Sequence, residues 1–389
     1  MSNEGAPLRL ALLMDPLEEG WPSMDLAGEA LSEQLHGPLA ESVRVTPVRP
    51  RMVPLARRLP VLRERRQALN VDRLFTRFLA YPARLALQTR GHDAYHVVDH
   101  TYAQLVHALP PERTGVYCHD LDAFRSILEP EKEPRPAWFR AMAWATLKGL
   151  QRAAVVFHST GPVRAELLRH GLVPPERLVH APLGASPEYG PEPVPGDRSD
   201  EVLRPLGGRP YVLHVGSGIA RKRVDVLFEV FAALRRRHPE LRLVQQGAAL
   251  NEAQRAQVAR LGIGDALLQP PKLDRATLAG LYRRARGVLV TSEAEGFGLP
   301  VIEALACGAP VVASDIPVLR EVGGDVVTYV PVGSIGAWTE AAHRVLESPE
   351  PDTGRSQRIA RGRGYSWEAH ARIILATYRR IAPRTSTSA

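Results

Sequence analysis

Cysteine is nearly absent from this chain. Cys118 and Cys307 are the only two, too few for a disulfide framework and in keeping with a reducing cytoplasm. Also missing is any run of the roughly 18 apolar residues that a transmembrane helix needs, so a soluble or peripheral protein is expected. The apolar stretch at residues 8–14 is short, carries Arg9 and meets Asp15 and Pro16 at once. It reads as a first buried strand rather than a secretion signal. No short-period repeat is present. Acid is scarce between residues 44 and 90, where twelve arginines face only Glu64 and Asp72, an excess that outweighs the whole formal charge of +8. This segment, RMVPLARRLPVLRERRQALNVDRLFTRFLAYPARLAL with its flanks, has two main readings: a basic amphipathic surface drawn to anionic lipid or a solvated helical face. Nucleic acid ranks below both, because the aromatics follow no stacking pattern and no nucleic-acid module is visible.

What is present is ordinary globular chemistry: 389 residues, 44% hydrophobic and 24% charged, a length that points to two domains. In the first half LRLALLM, YHVVD, TGVYCH and AVVFHS are short apolar runs separated by helical stretches such as MDLAGEALSEQL and GPVRAELLRHG. That alternation predicts a parallel sheet covered by helices. Composition then shifts to PEYGPEPVPGDRSDEVLRPLGGRP, dense in Pro and Gly, which reads as a linker over residues 187–209. A second α/β series follows through YVLHVG, LRLVQQG, ALLQ, GVLVTS and PVVAS, and SWEAHARIILATYRRIA closes the chain before a polar tail expected to fray. The expected division is a first domain at 1–186, the linker, a second domain at 210–365, and a closing helix and tail at 366–389. Two doubly wound domains facing each other form a cleft at the carboxyl ends of their strands, where ligands bind in such sheets.

The stretch SEAEGFGLPVIEALACGAP, residues 292–310, holds the strongest chemical signal. It leaves the carboxyl end of the strand GVLVTS as a glycine loop, and Pro300 then sits where the first turn of a helix accepts proline. Loop glycines let backbone approach a ligand, and a helix N-terminus offers unpaired N–H groups to a phosphate. Glu295 lies on the loop and Glu303 one turn into the helix. Two carboxylates beside an anion seat make sense if each accepts hydrogen bonds from hydroxyls, and a nucleotide sugar carries hydroxyls on both sides of its diphosphate. The plain alternative is one solvated and one helical glutamate. Cations are supplied by Arg221, Lys222 and Arg223 in SGIARKRVDVLFEVF, at another strand-to-helix loop. GSGIAR imitates a dinucleotide fingerprint but has Arg221 in place of the third glycine, and no acid ends LRLVQQG, so a nicotinamide site is not expected.

From residue 211 to 322 the sequence resembles the donor domain of retaining glycosyltransferases of family 4, which have the GT-B fold: two Rossmann-like α/β domains with the C-terminal helix returning to the first. VGSGIARKR matches the family's glycine and Arg-Lys element, and EGFGLPVIE its E-x7-E signature. PERLVHAPLGASPEYG resembles the interdomain passage, GYSWEAHARIILATYRRIA the closing helix, and YCHDLDAF with FHSTGPVRAELLRHG gives a weaker match in the first domain. The resemblance implies that Glu303 holds ribose hydroxyls and Glu295 sugar hydroxyls. Arg221 and Lys222 then clamp the diphosphate with the backbone amides of Phe297, Gly298 and Leu299, beside Gly216. It implies His119 as the active-site histidine; a buried, satisfied histidine is the alternative. Where the family pairs glycines after its first strand, EEGWPS has Gly20 alone, and Ser217 stands where many members have arginine.

The activity so implied is transfer of a hexose from a nucleoside-diphosphate sugar, with retention, to a glycan or lipid-linked acceptor in polysaccharide biosynthesis. Positive groups are needed where the diphosphate departs. No cofactor and no metal is expected; Asp120 in DLD is read as part of a His-Asp element rather than a metal ligand. The expected place is the cytoplasm, peripheral at the inner membrane face if residues 44–90 bind lipid. Two other functions stay open. A non-catalytic nucleotide-sugar-binding scaffold would keep the donor domain alone, and a glycoside hydrolase would use two carboxylates but leave Arg221 and Lys222 unexplained.

Overall fold

The computed structural model describes residues 6–58, 66–88, 91–348 and 352–382. The chain divides into two compact units, one running to Pro182 and resuming at Trp367, the other Leu183–Ser366. Each is built on a six-stranded sheet in which every pairing is parallel. The polar tail lies outside the described residues.

In the first unit the strands are β1 (Leu8–Leu13), β2 (Val43–Val48), β3 (Ala94–Val97), β4 (Thr114–Cys118), β5 (Val155–His158) and β6 (Leu178–His180), in the order β2-β1-β3-β4-β5-β6. The central β3, β4 and β5 are buried at every position. Strands covered on both faces read as continuous apolar runs, which is why the sequence displays them. The edge strand β2 was not anticipated. Arg44 and Pro47 point outward from it, and a proline-bearing, half-polar strand belongs at a sheet edge. Its charge had merged it into the basic segment.

The closing helix Trp367–Ile381 belongs to this first unit. Its Tyr378 hydroxyl donates to the Tyr95 carbonyl at 2.9 Å and lies 2.9 Å from His96 Nδ1, deep among β3 and β4. Gly115 makes room for it: a Cβ there would stand 2.3 Å from the hydroxyl. A helix separated from the first unit by the whole second unit therefore completes the first unit's cover.

The second unit holds β7 (Tyr211–Val215), β8 (Arg242–Gln246), β9 (Leu267–Leu268), β10 (Gly287–Val290), β11 (Val311–Ser314) and β12 (Thr328–Val330), ordered β12-β11-β10-β7-β8-β9. The chain winds outward from β7 to β9, then returns to the far side of β7 with β10. The gap between the loops leaving β7 and β10 is therefore the topological switch point, where open α/β sheets bind ligands.

The proline-rich stretch expected as a linker at 187–209 is packed into the second unit instead. It contains a short helix, Ser199–Leu203, and Asp197 accepts from Arg283 at 2.7 Å, an arginine side chain only 7% exposed. Arg283 also donates to the Glu188 and Gly190 carbonyls. Gly280 permits the approach, since a Cβ there would meet the Asp197 carboxylate at 2.3 Å. Irregular chain held by a buried guanidinium looks like a linker in composition but is tied down by its polar partners. The change of unit comes earlier, at Pro182.

Candidate active site

Two loops carry the predicted donor residues, and they leave β7 and β10 at the switch point. The first runs from Gly216 to Arg223 and enters the helix Val224–Arg237; the second runs from Thr291 to Gly298 and enters the helix Leu299–Ala306. They are stitched together through the backbone carbonyls of the first loop. Glu293 N–H donates to the Arg221 carbonyl at 2.8 Å and the Thr291 hydroxyl to the Lys222 carbonyl at 2.9 Å. Arg223, between cation pair and helix, has φ +48°, a conformation unfavourable for a side-chain-bearing residue that recurs at functional sites. It is fixed by Asp225 at 2.9 Å and Glu293 at 3.2 Å, so this third cation is turned to its own neighbours.

Lys222 Nζ lies 2.6 Å from Glu295 Oε1, Ser292 Oγ donates to the same oxygen at 2.7 Å, and Arg221 stands 3.7 Å from Oε2. Arg221 also donates to the Ala294 carbonyl at 3.0 Å. The Glu295 side chain is 6% exposed. Burial pushes its carboxyl up, but the Lys222 charge and hydrogen bond, the Ser292 hydroxyl and Arg221 together bring it below the ordinary glutamate value. It is ionised and paired, which removes the repulsion that two bare carboxylates would present to an anion.

Gly298, with φ +97°, turns the chain into the helix Leu299–Ala306, and a Cβ there would strike Leu319 at 2.6 Å. The Phe297 ring is buried against Tyr365, centroids 5.5 Å apart. That ring is an anchor, so backbone amides are what Phe297, Gly298 and Leu299 offer to a ligand at the helix start. Gly216 takes part in a close backbone approach. A Cβ on neighbouring Gly247 would collide with the Gly216 carbonyl, and one on Gly216 would stand 3.1 Å from His214 Nε2.

Glu303 is placed differently from Glu295. It is buried, and its Oε2 accepts from the Tyr282 hydroxyl at 2.9 Å. Burial raises its carboxyl to about 7 against the opposing hydrogen bonds of Tyr282 and Tyr189. The hydroxyls it holds here are thus those of two tyrosines, which the sequence reading did not foresee because Tyr189 and Tyr282 come from distant segments.

In the first unit, His119 follows β4. Its Nε2 donates to the Val98 carbonyl at 2.9 Å, its ring lies 4.6 Å from that of Tyr117, and burial lowers its pKa below the usual histidine value. It is neutral, with Nδ1 left as an acceptor. Nearby is a group the sequence reading missed. His100 Nδ1 lies 3.2 Å from Asp99 and its Nε2 3.6 Å from Asp120. Burial opposes the His100 charge, yet Asp99 and Asp120 outweigh it and raise the pKa. Asp99 itself is held well below the usual carboxylate range despite burial, by His100, while burial and the Asp99 charge push Asp15 well above it. Asp15, Asp99 and His119 stand at the carboxyl ends of β1, β3 and β4. The signal was available: MDP, VDH and CHD each put an acid or histidine where a strand run stops.

Asp120 accepts the Asp122 N–H at 3.0 Å and faces His100, the geometry of a turn and an ion pair. Gly20 adopts φ +72°, and a Cβ there meets nothing within 4 Å, so backbone conformation accounts for the glycine. Beside it, buried Glu19 accepts from the Tyr102 hydroxyl at 2.8 Å and pairs with Arg73 at 2.7 Å.

The arginine-rich segment is described except at 59–65 and 89–90. Several of its arginines turn inward. Arg49 pairs with Asp25 at 2.6 Å, Arg57 with Asp72 at 2.8 Å, Arg73 with Glu19, and Arg77 stacks 4.6 Å over Tyr102. The segment is therefore partly a set of internal ion pairs, because the acids that answer it lie mostly on other segments of the first unit.

This fold and site define a class. Over 97% of this chain and 99% of its own, sucrose-phosphate synthase from Thermosynechococcus elongatus has the same fold at a TM-score of 0.73, with 20% identity. A D-inositol 3-phosphate glycosyltransferase of Segniliparus rotundus is 29% identical over 80% of this chain and 73% of its own. An O-antigen chain mannosyltransferase B of Escherichia coli is 29% identical over 75% of each. The chain is a glycosyltransferase of the GT-B fold. More narrowly, its residues 197–363 match the model of the family glycosyl transferases group 1.

Proposed function

We propose that this chain transfers a hexose from a nucleoside-diphosphate sugar, with retention and without a metal, to a hydroxyl of a glycan or lipid-linked acceptor. The observation that carries this reading is the Lys222–Glu295 pair at 2.6 Å, its side chains 14% and 6% exposed, set between two switch-point loops and beside the start of the helix Leu299–Ala306. Lys222, Arg221 and the amides at Phe297, Gly298 and Leu299 are assigned to the diphosphate, where negative charge grows as the leaving group departs. These positive groups supply the role a bound cation plays elsewhere, which supports metal-independence. Glu295 is assigned to sugar hydroxyls and Glu303 to the ribose, exchanging its tyrosine partners for ribose hydroxyls. The acceptor-side roles fall to the first unit: neutral His119 accepts a sugar hydroxyl through Nδ1, and Gly20 shapes the loop after β1. The name of one relative, an O-antigen chain mannosyltransferase, supports a polysaccharide acceptor. No helix among the described residues is long and apolar enough to cross a membrane, and exposed Leu79 and Leu87 beside the arginines support peripheral attachment to an anionic cytoplasmic face.

The test is incubation with a panel of nucleotide sugars and candidate acceptors, following nucleoside diphosphate release and the anomeric configuration of the product. Lys222→Ala and Glu295→Ala should each lower turnover by at least about a hundredfold, the usual scale for losing a preorganised charge at a transition state. Turnover near wild type in either variant removes the assignment. Activity abolished by a chelator and restored by Mg2+ would refute the metal-free reading, and an inverted product would refute retention.

A further inference from the structure

Away from these loops, the second unit brings three metal-ligating side chains together at the ends of two packed helices. His238 follows the helix Val224–Arg237, with its backbone N–H donating to the Leu234 carbonyl. His343 and Glu347 stand one turn apart on the helix Ile335–Glu347, a spacing that puts both on one face. His238 Nε2 lies 2.9 Å from His343 Nδ1, and His238 Nδ1 lies 3.6 Å from Glu347 Oε1. One donor atom from each residue falls within 4.8 Å of the other two. We infer that His238, His343 and Glu347 bind a divalent transition metal of the zinc type, which clips the two helices together.

Three features support this. First, the helices are held in register by the core: Trp338, Ala341 and Ala342 of one pack with Phe228, Phe231 and Leu234 of the other. The ligand positions are therefore set before any ion arrives. Second, two imidazoles in nitrogen-to-nitrogen contact need a proton between them, and a metal can take that proton's place. Zinc–nitrogen bonds of about 2.0–2.1 Å require the ring nitrogens to sit roughly 3.3 Å apart, a small opening from the present contact. Third, both helices end here, so two negative dipole ends and a carboxylate converge on one point and favour a cation. Two imidazoles with one carboxylate suit zinc and its neighbours over magnesium, which prefers an all-oxygen shell. Glu347 is exposed and both histidines are half-buried, so water completes the coordination.

The site is structural. The helix Val224–Arg237 separates it from Lys222 by roughly 20 Å at 1.5 Å per residue, and it takes no part in the transfer proposed above. The experiment uses the full chain, free of any affinity tag and stripped with chelator, in equilibrium dialysis against zinc chloride. The wild type should retain one more equivalent than His343→Ala, and Glu347→Gln should weaken that equivalent about tenfold. Cobalt added in place of zinc should give a visible absorption band that His238→Gln abolishes, and zinc should raise the thermal midpoint of the wild type but not of His343→Ala. Equal zinc retention in wild type and His343→Ala overturns the inference, as does a cobalt spectrum unchanged in His238→Gln. Magnesium binding with the same dependence on these residues would overturn the assignment of metal class.

Discussion

Glu295 and Glu303 belong to one short motif and sit in opposite electrostatic surroundings. The first is ionised by Lys222; the second is kept near half-protonation at neutral pH by burial beside Tyr282. This difference has a measurable sign. A carboxyl raised in the folded state binds its proton more tightly there than in the unfolded chain, so its stabilising contribution is present below about 4.5 and is lost as pH rises through about 7. That displacement corresponds to on the order of 3 kcal/mol between the two ends of the window. Thermal midpoints of the wild type should therefore fall from pH 5 to pH 8 more steeply than those of Glu303→Gln. Parallel curves for the two proteins would show that Glu303 titrates as an ordinary glutamate. The residue types of this site were legible because the loop with its proline forms one continuous stretch and the cation cluster another. The tyrosine partners of Glu303 and the Asp99–His100 pair were not, since they come from separate elements that only folding brings close.

Among the elements, the closing helix shows how a remote segment becomes part of a core. Its Tyr378 hydroxyl reaches the backbone of β3 past Gly115 of β4. Gly115→Ala should destabilise the first unit by about 1–3 kcal/mol, the usual cost of overpacking, seen as a lower urea midpoint. Tyr378→Phe in that background should restore part of the loss, because the colliding oxygen is gone. A midpoint equal to wild type in Gly115→Ala would mean that the helix yields without cost. The central strands were legible from their unbroken apolar runs. The edge strand β2 was not, because Arg44 and Pro47 give it the look of a charged loop. The stretch 187–209 reads as a linker for the converse reason: proline and glycine mark irregular backbone, and only the Arg283 side chain from another helix shows that this backbone is packed.

At the scale of the whole molecule, the basic charge that dominates residues 44–90 is divided between internal pairing and surface. Arg49, Arg57 and Arg73 answer Asp25, Asp72 and Glu19, while Leu79 and Leu87 are 62% and 76% exposed. Vesicles rich in anionic lipid should sediment the protein at low salt and release it as ionic strength approaches 0.1 M and beyond, where screening acts within about 10 Å. Leu79→Glu should weaken that binding, since apolar insertion and charge attraction act together. Absence of binding at low salt would leave the arginines a structural role alone.

The sequence by itself determined the α/β class, the places of the buried strands along the chain, and the loop that couples Glu295 to a helix start at Pro300. Periodicity, glycine and proline act over a few residues and are written in the chain. Tertiary structure alone decided that β10 returns beside β7 and makes their loops the switch point, that Tyr378 of the last helix reaches β3 past Gly115, and that Lys222 neutralises Glu295. Each of those outcomes depends on contacts between residues far apart in the chain, fixed by how parallel strands order themselves in a sheet and by the need of every buried charge for a partner.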